Sequence, residues 1–224
     1  MTLNIACVLK IEPDNYKRPV YNKNWVDKLY RAVKKNYNKN FNFVCLTNDI
    51  DSCNEYNIKP LSFCSWGWWN KLELFSPDLF DGPTLFLDLD VVICKNFTQV
   101  IEKLPNDLLL MCVEPYKNLL NSSVMYWNGE FDDLYFEFFK NQQSIISKYE
   151  FSTKEQSAIG DGAFIIDHLQ DRAQSLNKYV EEGFFNWRHH KVMTDIDDPT
   201  MLIFTGTEKP TNNLNLEIVK NNWV

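Results

Sequence analysis

The sequence predicts an α/β domain. Short apolar runs rich in β-branched residues alternate with segments of helical period, and no internal repeat or Gly/Ser/Pro tract interrupts the alternation. A hydrophobic fraction of 45% with 24% charged residues supplies a core and excludes a disordered chain. At 224 residues the chain suits a single domain over 1–224, with a core over about 1–210 and a C-terminal tail over 211–224.

The elements follow in order. Leu3–Leu9 is apolar and ends at Lys10 before Pro13, a first strand. Over Asn22–Tyr37 the residues Trp25, Val26, Leu29, Tyr30, Val33 and Tyr37 recur about every four positions, the pattern of an amphipathic helix. Phe41–Leu46 is a second strand that closes in Thr47-Asn48-Asp49. Asn70-Lys71-Leu72-Glu73 reads as a helix start, Asn capping the free amides while Glu reaches back to the cap. Asp81-Gly82-Pro83 is a turn into a buried strand at Thr84–Leu87. Leu108–Val113 and Ser123–Trp127 read as strands, Phe131–Tyr149 as a helix, and Ala163–Ile166 and Met201–Phe204 as late strands. The Asn-rich tail from Thr211 carries no pattern.

Charge and cysteine usage exclude several functions. A net charge of −7 is the wrong sign for a nucleic-acid backbone. No apolar run reaches the ~18–20 residues that span a bilayer, and Met1–Lys10 lacks a secretory leader's apolar centre, so a cytoplasmic address is expected. The six cysteines are scattered without a C-x-x-C pair. The triplets Asn96-Phe97-Thr98 and Asn121-Ser122-Ser123 lie near the expected site and would invite glycosylation in a secreted protein. The aromatic cluster Trp66-Gly67-Trp68-Trp69 is core mass or a platform for sugar faces.

Leu85-Phe86-Leu87-Asp88-Leu89-Asp90-Val91-Val92-Ile93 carries the chemistry. Two acids break an otherwise apolar run. In an extended chain residues i and i+2 point the same way, so Asp88 and Asp90 would present both carboxylates to one point. Side by side and uncompensated, one would have to protonate; a divalent cation resolves that, and hard oxygen ligands suit Mg²⁺ or Mn²⁺. Such a cation could neutralise a diphosphate leaving group. The alternative is a strand end with one cap and one surface acid.

Two enzyme classes place D-x-D after an apolar strand. Asp88-Leu89-Asp90-Val91 resembles the haloacid-dehalogenase-type phosphohydrolases, with Asp195, Asp197 and Asp198 as their later acidic motif, although that motif normally follows the domain's first strand. The wider context resembles nucleotide-sugar glycosyltransferases. Gly67-Trp68-Trp69-Asn70-Lys71-Leu72-Glu73-Leu74-Phe75, then Pro77-Asp78-Leu79-Phe80, Gly82 and Leu85–Asp90 are similar to a family-8-like group of microbial and viral glycosyltransferases. Phe43–Asp49, Asn121–Met125, Glu155-Gln156 and Phe204-x-Gly206-x-x-Lys209-Pro210 follow in the same order, over about residues 5–210.

The resemblance implies a GT-A fold, with a mixed, mostly parallel central sheet flanked by helices. It implies metal-dependent transfer of a sugar from a nucleotide-diphosphate donor, a UDP-sugar, to a hydroxyl acceptor such as a glycan. Asp88 and Asp90 would hold Mn²⁺ or Mg²⁺. Val8, Leu9, Lys10 and Asp49 would line base and ribose, and Lys71, Leu89, Gly206 and Lys209 complete the donor site. Lys71 and Lys209 would meet phosphate, Lys209 stabilising the departing charge. Trp68, Asn121, Ser122, Glu155 and Gln156 would face the transferred sugar or the acceptor, with Glu155 nearest the reacting centre. One departure stands out: relatives place a metal-binding His in the loop equivalent to Phe204-Thr205-Gly206, where this chain has Thr205. Either His189 or His190 replaces it or these two form a surface pair, so a donor-binding protein without turnover stays an alternative.

Overall fold

Leu3, Ile5, Cys7 and Leu9 join one apolar cluster and Ala6 the other, the two-residue period of an extended chain buried on both faces. This strand, β1 (Leu3–Leu9), sits inside the main sheet. The computed structural model describes residues 1–12, 21–62, 67–150, 159–189, 192–193 and 198–224, with only the backbone of His189, Val192 and Met193.

On one flank β1 pairs in parallel with β2 (Phe41–Thr47), Cys7 opposite Cys45, and β3 (Asn57–Pro60) extends that side. The chain then crosses back to β4 (Thr84–Leu87), parallel to β1 on its other flank with Ile5 opposite Leu85. β7 (Leu119–Trp127) runs antiparallel to β4 and to β6 (Leu109–Glu114), and β8 (Ala173–Ser175) pairs in parallel with β6. The order is β3-β2-β1-β4-β7-β6-β8, and within it β7 alone opposes the common direction. A second sheet, order β10-β9-β11-β5, combines β5 (Val92–Ile93), β9 (Phe185–His189), β10 (Val192–Met193) and β11 (Met201–Phe204).

Helices cover both faces. α1 (Lys23–Asn36) starts where the Asn22 side chain accepts from the Asn24 amide, and Trp25, Val26, Leu29 and Val33 pack its buried stripe against the cluster shared with the second sheet. The short α2 (Thr98–Ile101) and α5 (Glu217–Asn222) share that side through Ile101 and Val219. The opposite face carries a 3-10 helix at Gly67–Phe75, α3 (Asp132–Tyr149) and α4 (Gly160–Leu169), joined through Trp69, Leu72, Phe138 and Phe164. α3 is kinked at Asn141, whose φ/ψ of −124°/24° is not helical.

Three sequence expectations change. Ala163–Ile166 is not a strand but the middle of α4: four apolar residues do not distinguish the two, and Gly160, with φ +71°, sets the helix start. Asn70 and Glu73 are not a capping pair, because Gly67, with φ +61°, starts the 3-10 helix three residues earlier. Asn70 is instead buried and donates to Gly67 O at 2.9 Å, while Glu73 accepts from the Ser62 amide at 2.6 Å. The segment after Thr211 folds back as a 3-10 turn and α5, placing Trp223 edge-on against Trp25 at 4.8 Å.

Candidate active site

The strand order fixes where a ligand can sit. The chain moves outward from β1 to β2 and β3, then returns to β4 on the other flank of β1. Ligands of open α/β sheets lie beyond the carboxyl ends of the strands at such a reversal. A cleft of about 440 Å³ opens there, lined by Val8 near the end of β1, by Lys10 just past it, and by Asp88, Leu89 and Asp90 beyond β4.

The two acids are not in extended chain. The Asp88 amide still donates to Ser123 O of β7 at 2.8 Å, but the Val91 amide then turns back to Asp88 O at 3.1 Å. The tight turn, rather than strand alternation, aims both carboxylates at the cleft.

Each carboxylate meets a lysine from a different element. In the 3-10 helix three residues make one turn, so Trp68 and Lys71 share the cleft side while Trp69 goes into the core, stacked on Phe138 at 5.5 Å and 10°. Lys71 Nζ lies 2.8 Å from Asp88 Oδ1 and 2.9 Å from Oδ2, and it also reaches Ser122 O and Oγ at 3.4 Å. On the other side Lys209 Nζ donates to Asp90 Oδ2 at 2.6 Å, and the Tyr21 hydroxyl donates to the same oxygen at 3.0 Å. Asn213 fixes that lysine's backbone, donating to Lys209 O at 2.8 Å and to Glu208 Oε2 at 3.0 Å. Gly206, with φ +63° and open space around it, makes the turn that brings the lysine in.

These contacts set the electrostatics. Burial pushes the Asp88 carboxyl up to about 6, with Lys71 opposing and Asp90 and Asp161 adding to the rise. Burial works against the Lys71 ammonium, yet Asp88 and Asp161 together raise it above its ordinary value. Burial first, then Asp90 and Asp88, pushes the Tyr21 phenol far above its usual range, leaving it a hydrogen-bond donor.

Most of the expected site residues converge. Val8, Lys10, Trp68, Lys71, Asp88, Leu89, Asp90, Asn121, Ser122, Gly206 and Lys209 all line the cleft. Leu9 does not: one residue after Val8 on the strand, it lies fully buried in the opposite cluster. Asp49 is not in the lining either, and its amide bonds to Thr47 Oγ1 at 2.9 Å. Glu155, Gln156, Trp66, His190, Asp195 and Asp197 fall outside the described residues, as does the side chain of His189. Asp198 pairs with Lys95 at 2.7 Å, away from the cleft. His168 meets Asp133 at 3.0 Å, also away from it.

Sequence reasoning missed Tyr21, Glu12 and Asp161, which line the cleft too. Glu12 accepts from the Gly67 amide at 2.9 Å and so ties the loop after β1 to the 3-10 helix. Asp161 sits between Gly160 and Gly162 in the first turn of α4, and the flanking glycines were its signal. A Cβ on Gly160 would overlap the Trp68 indole.

No family profile matches the chain, and no curated protein sequence does. Solved structures do. The galactosyltransferase LgtC, in complex with donor and acceptor sugar analogs, superposes with a TM-score of 0.62 at 12% identity, over 99% of this chain and 96% of that one. The glycosyltransferase GlyE of Streptococcus pneumoniae TIGR4 gives 0.58 at 12% identity over 93% of this chain, and the bifunctional glycosyltransferase WbbM gives 0.55 at 10% over 99%. The match spans 56% of GlyE and 50% of WbbM. With its mixed, mostly parallel sheet flanked by helices, the chain has the GT-A glycosyltransferase fold.

Proposed function

We propose that this protein transfers a sugar from a nucleotide-diphosphate donor, a UDP-sugar, to a hydroxyl of an acceptor such as a glycan. The observation that carries the reading is the meeting of Asp88, Asp90, Lys71 and Lys209 in a cleft at the reversal of the strand order.

A divalent cation, Mn²⁺ or Mg²⁺, fits this donor set. Asp88 and Asp90 offer hard carboxylate oxygens, and three carboxylates with Asp161 face two ammonium groups. Two carboxylates suffice for an ion whose remaining coordination substrate phosphates supply. Bound there, such an ion would supply Lewis-acid stabilisation of the diphosphate.

The chain's own groups do the rest. Lys71 and Lys209 flank the acids, so their ammoniums are placed to hydrogen-bond phosphate oxygens and to hold negative charge as the sugar–phosphate bond breaks. Tyr21 steadies Asp90 as a neutral donor. Val8 and Lys10 offer the base and ribose a wall at the end of β1, and Trp68, Asn121 and Ser122 face the sugar side. Glu155 and Gln156, which precede α4 in the sequence, are assigned to the sugar or acceptor on resemblance alone.

Thermal unfolding with UDP, GDP and ADP, with and without Mn²⁺, tests the reading on the wild type and on D88N/D90N. Ligand at a hundred times its dissociation constant adds about 2.7 kcal/mol. A UDP shift that needs Mn²⁺ and disappears in the double variant supports it, as does release of UDP from a UDP-sugar. Indifference to every nucleotide overturns it.

A further inference from the structure

Two donors meet on Asp90 Oδ2, the Lys209 ammonium and the Tyr21 hydroxyl, and both belong to loops rather than to the sheet. A lysine loses much rotamer freedom when it is held in one place, so its reach depends on a fixed backbone. What fixes these two loops is one segment, residues 213–223, no part of which lines the cleft.

The contacts run in a ring. Asn213 is 2% exposed and donates its side-chain amide to two consecutive residues, Glu208 Oε2 and Lys209 O. Glu208 is anchored in turn by Arg188, 3.4 Å away. The Asn213 carbonyl accepts from the Leu216 amide at 3.0 Å, where α5 begins. At the far end of α5, Trp223 lies edge-on to Trp25, and Trp25 lies edge-on to Tyr21 with centroids 4.8 Å apart. Lys209 Nζ closes the ring 5.8 Å from the centroid of the Tyr21 side chain, within cation–π range. An apolar side chain would fill the place of Asn213 as well; two directed hydrogen bonds set one backbone conformation at 208–209.

We propose that Asn213 and Trp223 are positioning residues of the donor site: without touching a ligand they hold Lys209 and Tyr21 on Asp90, and through Lys209 they set the grip on the donor's diphosphate. The ligand in this proposal rests on the sugar-transfer reading, so a ligand-free arm of the test stands apart from it.

Calorimetric titration with UDP and Mn²⁺, and NMR titration with uridine, are read on the wild type, N213A, W223A, W223F, K209A and N213A/K209A. N213A and W223A should each lower UDP affinity about tenfold, the worth of a hydrogen bond to a charged group, and leave uridine affinity within about twofold. W223F, which keeps a ring against Trp25, should recover most of the W223A loss. Because Asn213 acts through Lys209, N213A/K209A should bind UDP no more weakly than K209A does. In the ligand-free protein, the coupling of Lys209 to Asp90, read by urea unfolding of K209A, D90N and the double variant, should shrink by about half or more in an N213A background. Should N213A not fold, W223A takes its place in every arm. Equal losses for UDP and uridine, additive losses in N213A/K209A, or an unchanged coupling of Lys209 to Asp90 each overturn the proposal. A wild type that binds no UDP overturns the sugar-transfer reading, and the ligand-free coupling then decides by itself whether Asn213 positions Lys209.

Discussion

The Lys71 ammonium spans both oxygens of Asp88, Oδ1 at 2.8 Å and Oδ2 at 2.9 Å, and stands 4.0 Å from Asp161 Oδ2. One cation thus serves two acids, and the pair does not gain equally. The ammonium is held charged by two partners, whereas Asp88 bears its own burial together with the repulsion of Asp90 and Asp161.

A free aspartate titrates near 3.9, and folding raises Asp88 to about 6, so the folded state binds this proton more tightly. Its contribution to stability is therefore full below about pH 4 and is lost as pH rises through about 6. With metal chelated, the melting temperature of the wild type should fall relative to that of D88N between pH 4 and pH 7, by the equivalent of about 2–3 kcal/mol. Parallel profiles would show that burial does not hold Asp88 up.

Lys209 neutralises Asp90 in a nearly closed setting, the lysine being 9% exposed. Removing one partner of a buried pair leaves a charge uncompensated, so K209A should cost about 3–5 kcal/mol in urea unfolding. Adding D90N to K209A should recover a large part of that loss. Additive losses in the double variant would show the contact to be energetically idle.

Gly160 and Gly206 both have positive φ, +71° and +63°, but different surroundings. G206A should cost only the left-handed backbone, about 1–2 kcal/mol. G160A adds the overlap with Trp68, so it should destabilise more and should weaken UDP-sugar binding by displacing the indole. Equal melting temperatures for the two variants would argue against the close approach.

Trp223 is buried edge-on against Trp25, with Lys28 Nζ 4.5 Å from its ring centroid. W223A should lower stability by about 3 kcal/mol, the cost of truncating a large buried ring. Calorimetric unfolding measures it, and a loss under about 0.5 kcal/mol, the range of surface substitutions, would mean that the C-terminal segment is not part of the core.

Much of this was legible because local pattern and global fold agree. Thr84–Leu87 is a strand to the residue, and α1 lies within a residue of its predicted ends. The acid pair was found as an interruption of buried apolar chain, although the turn that directs it was not, since i and i+2 alternation describes only extended backbone. Tyr21 and Asp161 were missed for another reason. Each lies far along the chain from the side chain it faces, Asp90 for Tyr21 and Lys71 for Asp161, and a single sequence does not record which distant residues share a cleft. Leu9 failed by one step: strand alternation sends Val8 to the cleft and its neighbour to the core.

The contact of Lys209 with Asp90 joins residues 119 positions apart, and that separation is also an interval of time. A ribosome adding 5–20 residues per second exposes Asp90 roughly ten seconds before its cation exists. Through that interval the growing chain has strands β1 to β4 available but no second lysine to let Asp90 be buried. Assembly of the pocket is thereby tied to late synthesis, and a chain stopped before Lys209 would carry its acid pair half-neutralised.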